Sequence, residues 1–391
     1  MRGLQITAEF KPRDGFTPSP KELEKKMAID GNKIWYNPQM AIVEVPKPEP
    51  KDDEVLLKVD SAGVCGSDTN FLGSDEDNYV KYGGHCAFPC IVGHEFSGEV
   101  EAVGKNVRSI KPGDLIVAQT MSWCGECPAC RKGMFNQCED LEEIGFTQDG
   151  GFGQYLVAKE KLCFKVDKLV DVYGSKEKAL EAAALIEPAA VAYFGLITRG
   201  GGFEPGSFVA VHGCGPVGLS AVGIAHAAGA AKVIAFDMFN ERLEIAKKMG
   251  ADVVYNPGEL RKAGKSSSIA IMEETGGHGC DFQVEATENP NNTIPEIEKT
   301  LAIGATVAQI GIAIPKTSLT TYDFQMKAAR YSFSLGSSGH GIWENVIRMI
   351  AYGRLDVRNI IYKTYGLDDA IKAIEEAKNG APGKILIKPN M

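Results

Sequence analysis

The chain has 391 residues, beyond the length at which single hydrophobic cores stop growing, so two domains are expected. With 44% hydrophobic, 24% charged and 8% aromatic residues, its composition is that of a soluble globular protein. A formal net charge of −9 opposes nucleic acid or an anionic membrane surface as the main partner.

No continuous apolar run reaches the ~20 residues that span a bilayer, and the opening "MRGLQITAEFKPRDGF" lacks the apolar core and cleavage site of a secretory signal. A cytoplasmic location without membrane or nucleic-acid partners is therefore expected, and thiols stay reduced there. The ten cysteines then call for a role other than disulfides.

Up to about residue 185 the chain reads as short strands broken by Gly/Pro turns, among them "EVLLKVDSAGV", "SGEVEAVG", "DLIVAQT" and "GQYLVAKE". Such spacing suggests a barrel-like or sandwich-like domain. Residues 12–37 read as an inserted loop and short helix with no assigned role. "GVCGSDTN" then brings Cys65, Ser67, Asp68 and Asn70 together. A second insert, 73–90, ends in "KYGGHCAFPC"; His85, Cys86 and Cys90 lack a fourth ligand, which favours a loop shaping a substrate pocket over a metal site. "IVGHEFSGEV" follows with His94 and Glu95.

"CGECPACRKGMFNQC" places Cys124, Cys127, Cys130 and Cys138 within fifteen residues. Four thiolates can enclose one tetrahedral Zn²⁺ at ~2.3 Å each, a closed site that holds a loop (about residues 119–140) and performs no chemistry. An iron–sulfur cluster or a redox thiol pair is the competing reading. Cys163, Cys214 and Cys280 read as small core residues. In "ALIEPAAVAY", Glu187 precedes Pro188 at a helix start, where alone it reads as a first-turn acid. Together Cys65, His94 and Glu187 form a three-ligand set of mixed softness, suited to zinc with one open position. Glu95 is then a fourth, exchangeable ligand or a neighbouring carboxylate. Asp68 is placed to accept a hydrogen bond from the free ring nitrogen of His94.

From residue 188 strands and helices alternate, which argues for a parallel sheet covered by helices on both faces. "VHGCGPVG" supplies Gly213-x-Gly215-x-x-Gly218 between an apolar strand and a helix, with Pro216 and Val217 opening that helix. Asp237 closes the next strand nineteen residues beyond Gly218, where a ribose-binding acid belongs, favouring NAD over NADP; Asn240 and Arg242 stand near enough to modify that preference. After about residue 330 come helices near Gly341–Arg354 and Leu367–Asn379 and a last strand, "GKILIKP". The expected domains are 1–187, a dinucleotide-binding 188–328, and a tail 329–391 that rejoins the first.

In this order "AGVCGSD", "GHEFSGEV", "KPGD", the four-cysteine lobe, "GCGPVGL" and Asp237 resemble the zinc-dependent medium-chain dehydrogenases, the family of alcohol, sorbitol and threonine dehydrogenases, over essentially the whole chain. The resemblance implies an α/β protein with a GroES-like β-rich catalytic domain and a Rossmann doubly wound domain. It implies Cys65, His94 and Glu187 as catalytic-zinc ligands, Glu95 as the neighbouring carboxylate, and Ser67 as the hydroxyl that receives the substrate proton. It further implies two zinc ions per chain, NAD as cofactor, and a dimer or tetramer of identical chains paired through "YSFSLGSS". Glutamate at position 187 is similar to the polyol and threonine branch, and the inserts resemble its inosose-oxidising members. Oxidation of a polyol or cyclitol secondary alcohol is thus expected, with L-threonine, sorbitol or a simple alcohol as the alternative substrate and a non-enzymatic zinc and NAD scaffold as the other class. Two positions depart from the family. Asn70 stands where many relatives carry a proton-relaying histidine, and "SLGSSGHGIW" replaces an Arg-Tyr pair, leaving His340 either near the pocket or on a surface loop.

Overall fold

The computed structural model describes residues 1–312 and 316–391. They form two units, one comprising Met1–Glu187 and Ile361–Met391, the other Pro188–Ile360.

The first unit is β-rich. Its central strand, Glu54–Gly63, is buried along nearly its whole length and has neighbours on both edges. Glu95–Val103 pairs with it antiparallel, placing Glu95 opposite Gly63. On its other edge Tyr155–Lys159 takes one end and the C-terminal strand Lys384–Lys388 the other. Every residue of that last strand is buried, including both lysines. A separate three-stranded sheet joins Trp35–Glu44, Arg2–Phe10 and Cys90–Ile91. The two inserts pair with each other: Ala28 and Cys86 exchange backbone hydrogen bonds (2.9 and 3.0 Å), and Trp35 Nε1 donates to the Cys86 carbonyl at 3.1 Å. Arg13, from the first insert, makes ion pairs with Asp75 and Asp77 of the second.

The second unit is built on six strands, all paired in parallel. Their spatial order is Val253–Tyr255, Lys232–Phe236, Phe208–His212, Cys280–Glu285, Leu301–Gln309, Arg330–Phe333. Numbered along the chain this is 3-2-1-4-5-6, the doubly wound order that binds dinucleotides where the first strand meets its helix. The strand cores are Val, Ile, Ala and Phe, as expected when both faces are covered.

The tail rejoins the first unit later than the expected boundary at residue 329. Arg330–Phe333 adds a sixth parallel strand beside Leu301–Gln309, and sheet pairing keeps it with the second unit. The helix Ile342–Ala351 also stays there, burying Ile342, Trp343, Val346 and Ile350 at helical spacing. The return begins at Ile361, where Ile361–Gly366 pairs with Lys384–Lys388. The helical run Lys176–Arg199 is long and apolar enough to span a membrane, yet 78% of its most apolar window is buried inside the protein.

Candidate active site and metal centres

The end of the strand Glu54–Gly63 delivers Cys65 to the N-terminus of a short helix, Gly66–Thr69. Asp68 closes this turn by accepting the Cys65 N–H on Oδ2 at 2.8 Å, which fixes the thiol's direction. The adjacent strand begins at Glu95, so His94 and Glu95 arrive at the same end of the sheet. Ligand atoms of Cys65, His94 and Glu95 all lie within 4.8 Å of one another. Sulfur, nitrogen and oxygen donors so grouped suit a borderline cation such as zinc.

The charge balance points the same way. Burial pulls the His94 imidazole down, but Cys65, Asp68 and Glu187 outweigh it and hold its pKa well above the usual value. Burial pushes Asp68 up to about 6 and Glu187 up to about 7. Both shifts describe an apolar enclosure with more acidic groups than cations, an environment that a divalent cation would neutralise.

Glu187 stands in the first turn of the helix Ile186–Tyr193. Its carboxylate is buried and has no hydrogen-bond or ion-pair partner among the described residues, but it is not one of the three groups that converge within 4.8 Å. Ser67 Oγ is likewise buried without a partner. Asp68 Oδ1 stands 3.8 Å from His94 Nδ1. That is too long for the expected hydrogen bond, because the carboxylate is anchored through its other oxygen to the Cys65 N–H, so Asp68 acts on the ring by charge. Asn70 ends the short helix, donating its backbone N–H to the Ser67 carbonyl at 3.1 Å. His340 belongs to the second unit and is exposed, its ring parallel to that of Phe194 at 6.5 Å.

Two residues of this site escaped the sequence. Lys384 Nζ lies 2.6 Å from Glu95 Oε1 and 2.5 Å from Oε2, and donates to the Val64 carbonyl at 2.9 Å. Both side chains of the pair are 1% exposed. Gly63 makes room for it: a Cβ there would stand 2.2 Å from Glu95 Oε2 and 3.1 Å from Lys384 Cδ. The signal was a lysine inside the apolar run "GKILIKP", but its partner is 289 positions away. Glu143 is the other; it is buried, and burial pushes its pKa up to about 7 with His94 opposing. In "LEEIGF" nothing distinguishes it from a surface acid.

The four-cysteine lobe is tighter. Sγ–Sγ separations are 4.0 Å for Cys124–Cys130, 4.0 Å for Cys127–Cys138 and 3.6 Å for Cys124–Cys138. A tetrahedron with metal–sulfur bonds of ~2.3 Å has edges of about 3.8 Å, so these thiols fit one zinc. They stand too close together to sit on separate irons of a cluster. Backbone N–H groups of Cys124 and Asp140 point at Cys138 Sγ, both at 3.3 Å, and favour the thiolate. Among the described residues Cys86 and Cys90 join no such group; Cys90 Sγ instead donates to the Gln148 carbonyl at 3.2 Å.

In the second unit the glycine-rich turn follows the first strand. Gly213 takes φ +93°, and a Cβ on Gly218 would lie 1.8 Å from the Gly213 carbonyl oxygen. Gly215 caps the helix Pro216–Ala227 with nothing within 4 Å of where its Cβ would be, leaving the helix N-terminus open to a pyrophosphate. Val217, in the same first turn, is half-buried. Asp237 accepts N–H groups from Cys214 (2.7 Å) and Phe239 (2.9 Å), with Arg242 3.7 Å away and stacked over Phe239. The carboxylate is thus held at the end of the second strand, as ribose recognition requires.

Residues 51–168 match the family model of the alcohol dehydrogenase GroES-like domain, and 216–352 match that of the zinc-binding dehydrogenases. The chain is 37% identical to scyllo-inosose 3-dehydrogenase of Thermotoga maritima, covering 100% of this chain and 99% of that protein. L-threonine 3-dehydrogenase of Pyrococcus abyssi is 31% identical, over 93% of this chain and 98% of its own. A solved structure from T. maritima, described as of the alcohol dehydrogenase type, superposes with a TM-score of 0.92 at 36% identity, covering 99% of both chains.

Proposed function

This chain belongs to the zinc-type alcohol dehydrogenase family, and we propose that it oxidises a ring secondary alcohol of a cyclitol to the ketone. The full-length likeness to scyllo-inosose 3-dehydrogenase carries this reading of the substrate, and the grouping of Cys65, His94 and Glu95 supports the chemistry. Cys65, His94 and Glu187 would hold zinc, with Glu95 beside them; the bound ion would supply Lewis acidity toward a substrate hydroxyl, of the kind that lowers the pKa of water from roughly 15.7 to about 7, and bound NAD would supply the hydride acceptor.

The protein's own residues hold the parts and move the proton. Ser67 Oγ, buried and without a partner, accepts the hydroxyl proton. Asn70 cannot relay a proton onward, because an amide does not titrate near neutrality, so as Ser67 takes the substrate proton it passes its own to the cofactor ribose hydroxyls and water. Asp68 orients Cys65 through its N–H and faces His94 with its free oxygen. Lys384 neutralises Glu95, which keeps that carboxylate beside the donor set instead of drawing it away into solvent. The second insert shapes the substrate side: Tyr82 stacks on Phe146 (5.2 Å), and Phe146 lies against His94 (4.7 Å). The Gly213–Gly218 turn and Asp237 bind the dinucleotide. A cytoplasmic location and a homo-oligomer complete the reading; Arg330–Phe333 ends the parallel sheet and leaves Phe333 exposed for pairing with a second copy.

The test is a substrate panel followed by NADH absorbance on zinc-loaded protein. Inositols should give a higher kcat/KM than L-threonine, sorbitol or ethanol. Preference for L-threonine or ethanol would overturn the cyclitol assignment and leave the dehydrogenase class standing.

A further inference from the structure

Among the described residues nine carboxylate side chains are buried. Seven have hydrogen-bond or ionic partners, as Glu22 does with Ser19 and Ile29, Glu285 with Thr293 and Gln309, and Glu95 with Lys384. Glu143 and Glu187 are the exceptions. Glu187 is already assigned to the metal, which leaves Glu143. A carboxylate of a buried side chain with no protein donor takes its hydrogen bonds from water or from a ligand, so it marks a place where ligand donors can arrive.

The backbone holds Glu143 firmly. Its carbonyl accepts the N–H groups of Phe146, Thr147 and Gln148 at 3.2, 2.9 and 3.0 Å, and Thr147 Oγ1 accepts its own N–H at 2.7 Å. The resulting turn is pressed onto the segment that carries His94. Gly145 sits so close that a Cβ would be 2.6 Å from the Gly93 carbonyl oxygen and 3.0 Å from the His94 nitrogen. The Phe146 ring lies against that of His94, tilted by 35° with centroids 4.7 Å apart. The charge of Glu143 acts on His94, Glu187 and the Tyr82 hydroxyl, and the turn that carries it packs against the His94 segment, which puts its carboxylate next to the metal-binding groups. It is nevertheless outside the set that converges within 4.8 Å.

A fixed carboxylate beside the reacting centre accepts hydrogen bonds and repels anions. Vicinal hydroxyls suit it, because its two oxygens can take two O–H donors at once. We propose that Glu143 is a specificity-determining residue that accepts hydrogen bonds from hydroxyls neighbouring the one oxidised, and thereby selects polyhydroxylated rings over simple alcohols. This rests on the cyclitol reading above and deepens it.

The test compares zinc-loaded wild type, Glu143→Gln and Glu143→Ala on myo-inositol and on cyclohexanol, the same ring with one hydroxyl. Zinc content and melting temperature are measured alongside. Glu143→Ala should raise KM for inositol about 10- to 100-fold, the size expected for hydrogen bonds to a charged group. Glu143→Gln should fall between alanine and wild type. The inositol-to-cyclohexanol ratio of kcat/KM should drop at least tenfold in Glu143→Ala, with both zincs retained and the melting temperature not lowered. A purely structural carboxylate would lower the melting temperature and affect both substrates alike, which would overturn the proposal. An unchanged ratio in a wild type that oxidises inositol overturns it too and leaves the function intact. Loss of one zinc in Glu143→Gln makes the residue a metal ligand and also overturns it. If wild type oxidises L-threonine but not inositol, the cyclitol function itself fails; a loss in Glu143→Ala that then falls on threonine reassigns the carboxylate to an ammonium group.

Discussion

Replacing Lys384 by methionine keeps the length of the side chain and removes its charge from a site where both partners are 1% exposed. At 2.6 Å and an effective dielectric of about 20, the Lys384–Glu95 attraction is roughly 6 kcal/mol, most of which offsets the desolvation of two ions. The pair is therefore worth little beyond an apolar substitute, whereas a lone Glu95 is not. Breaking a buried pair by removing one partner costs about 3–5 kcal/mol, because the remaining charge keeps its desolvation penalty. For a unit of this size that corresponds to a fall of about 6–20 °C in melting temperature. Scanning calorimetry on the zinc-loaded protein, with and without NAD, separates the transitions, since NAD raises that of the unit it binds. The Lys384→Met transition should fall in the unit that NAD does not shift. The double variant Lys384→Met/Glu95→Gln, with no charge left behind, should recover more than half of the loss. A single variant melting within 2 °C of wild type at equal zinc content would refute the argument.

Three further outcomes follow from other parts of the chain. Burial lowers the His212 pKa to about 4, against an unfolded value near 6.5; stability is full above pH 6.5 and drains away as pH falls toward 4. At pH 5 the loss is about 2 kcal/mol, so the fall in urea-unfolding free energy between pH 8 and pH 5 should be smaller by that amount in His212→Asn, and equal slopes would contradict it. Cys130→Ser should reduce the metal content from two zincs to one and expose the 119–140 lobe to protease, while Cys65→Ala should remove the other zinc and leave the lobe resistant. Gly218→Ala puts a Cβ 1.8 Å from the Gly213 carbonyl oxygen and should weaken NAD binding at least tenfold by fluorescence titration, with zinc content unchanged.

The local motifs were legible because their chemistry is set by short stretches of backbone. Cys124 to Cys138 span fifteen residues, so spacing alone brings the thiols within reach of one ion. Gly213, Gly215 and Gly218 sit on one strand-to-helix turn, and Asp237 ends the very next strand in the chain. The alternation after residue 188 likewise announced a parallel sheet, since each strand and its helix are adjacent in sequence. The catalytic grouping was legible as a set of donor types and through family resemblance, but not as a geometry: Cys65 and His94 meet because two strands pair with Glu95 opposite Gly63, and periodicity does not reveal register.

Tertiary structure alone decided the rest. A strand's sequence does not say which sheet will take it, so Arg330–Phe333 read as part of the returning tail until pairing with Leu301–Gln309 kept it in the second unit. Neither insert shows in its own residues that Ala28 will meet Cys86. Asp68 was rightly placed near His94, but a carboxylate oxygen already committed to the Cys65 N–H left the other 3.8 Å short of a bond. The roles of Lys384 and Glu143 were hidden for the same reason. A charged side chain looks like surface in any window of sequence, and only the packing of distant segments shows that Lys384 is buried with a partner and Glu143 without one.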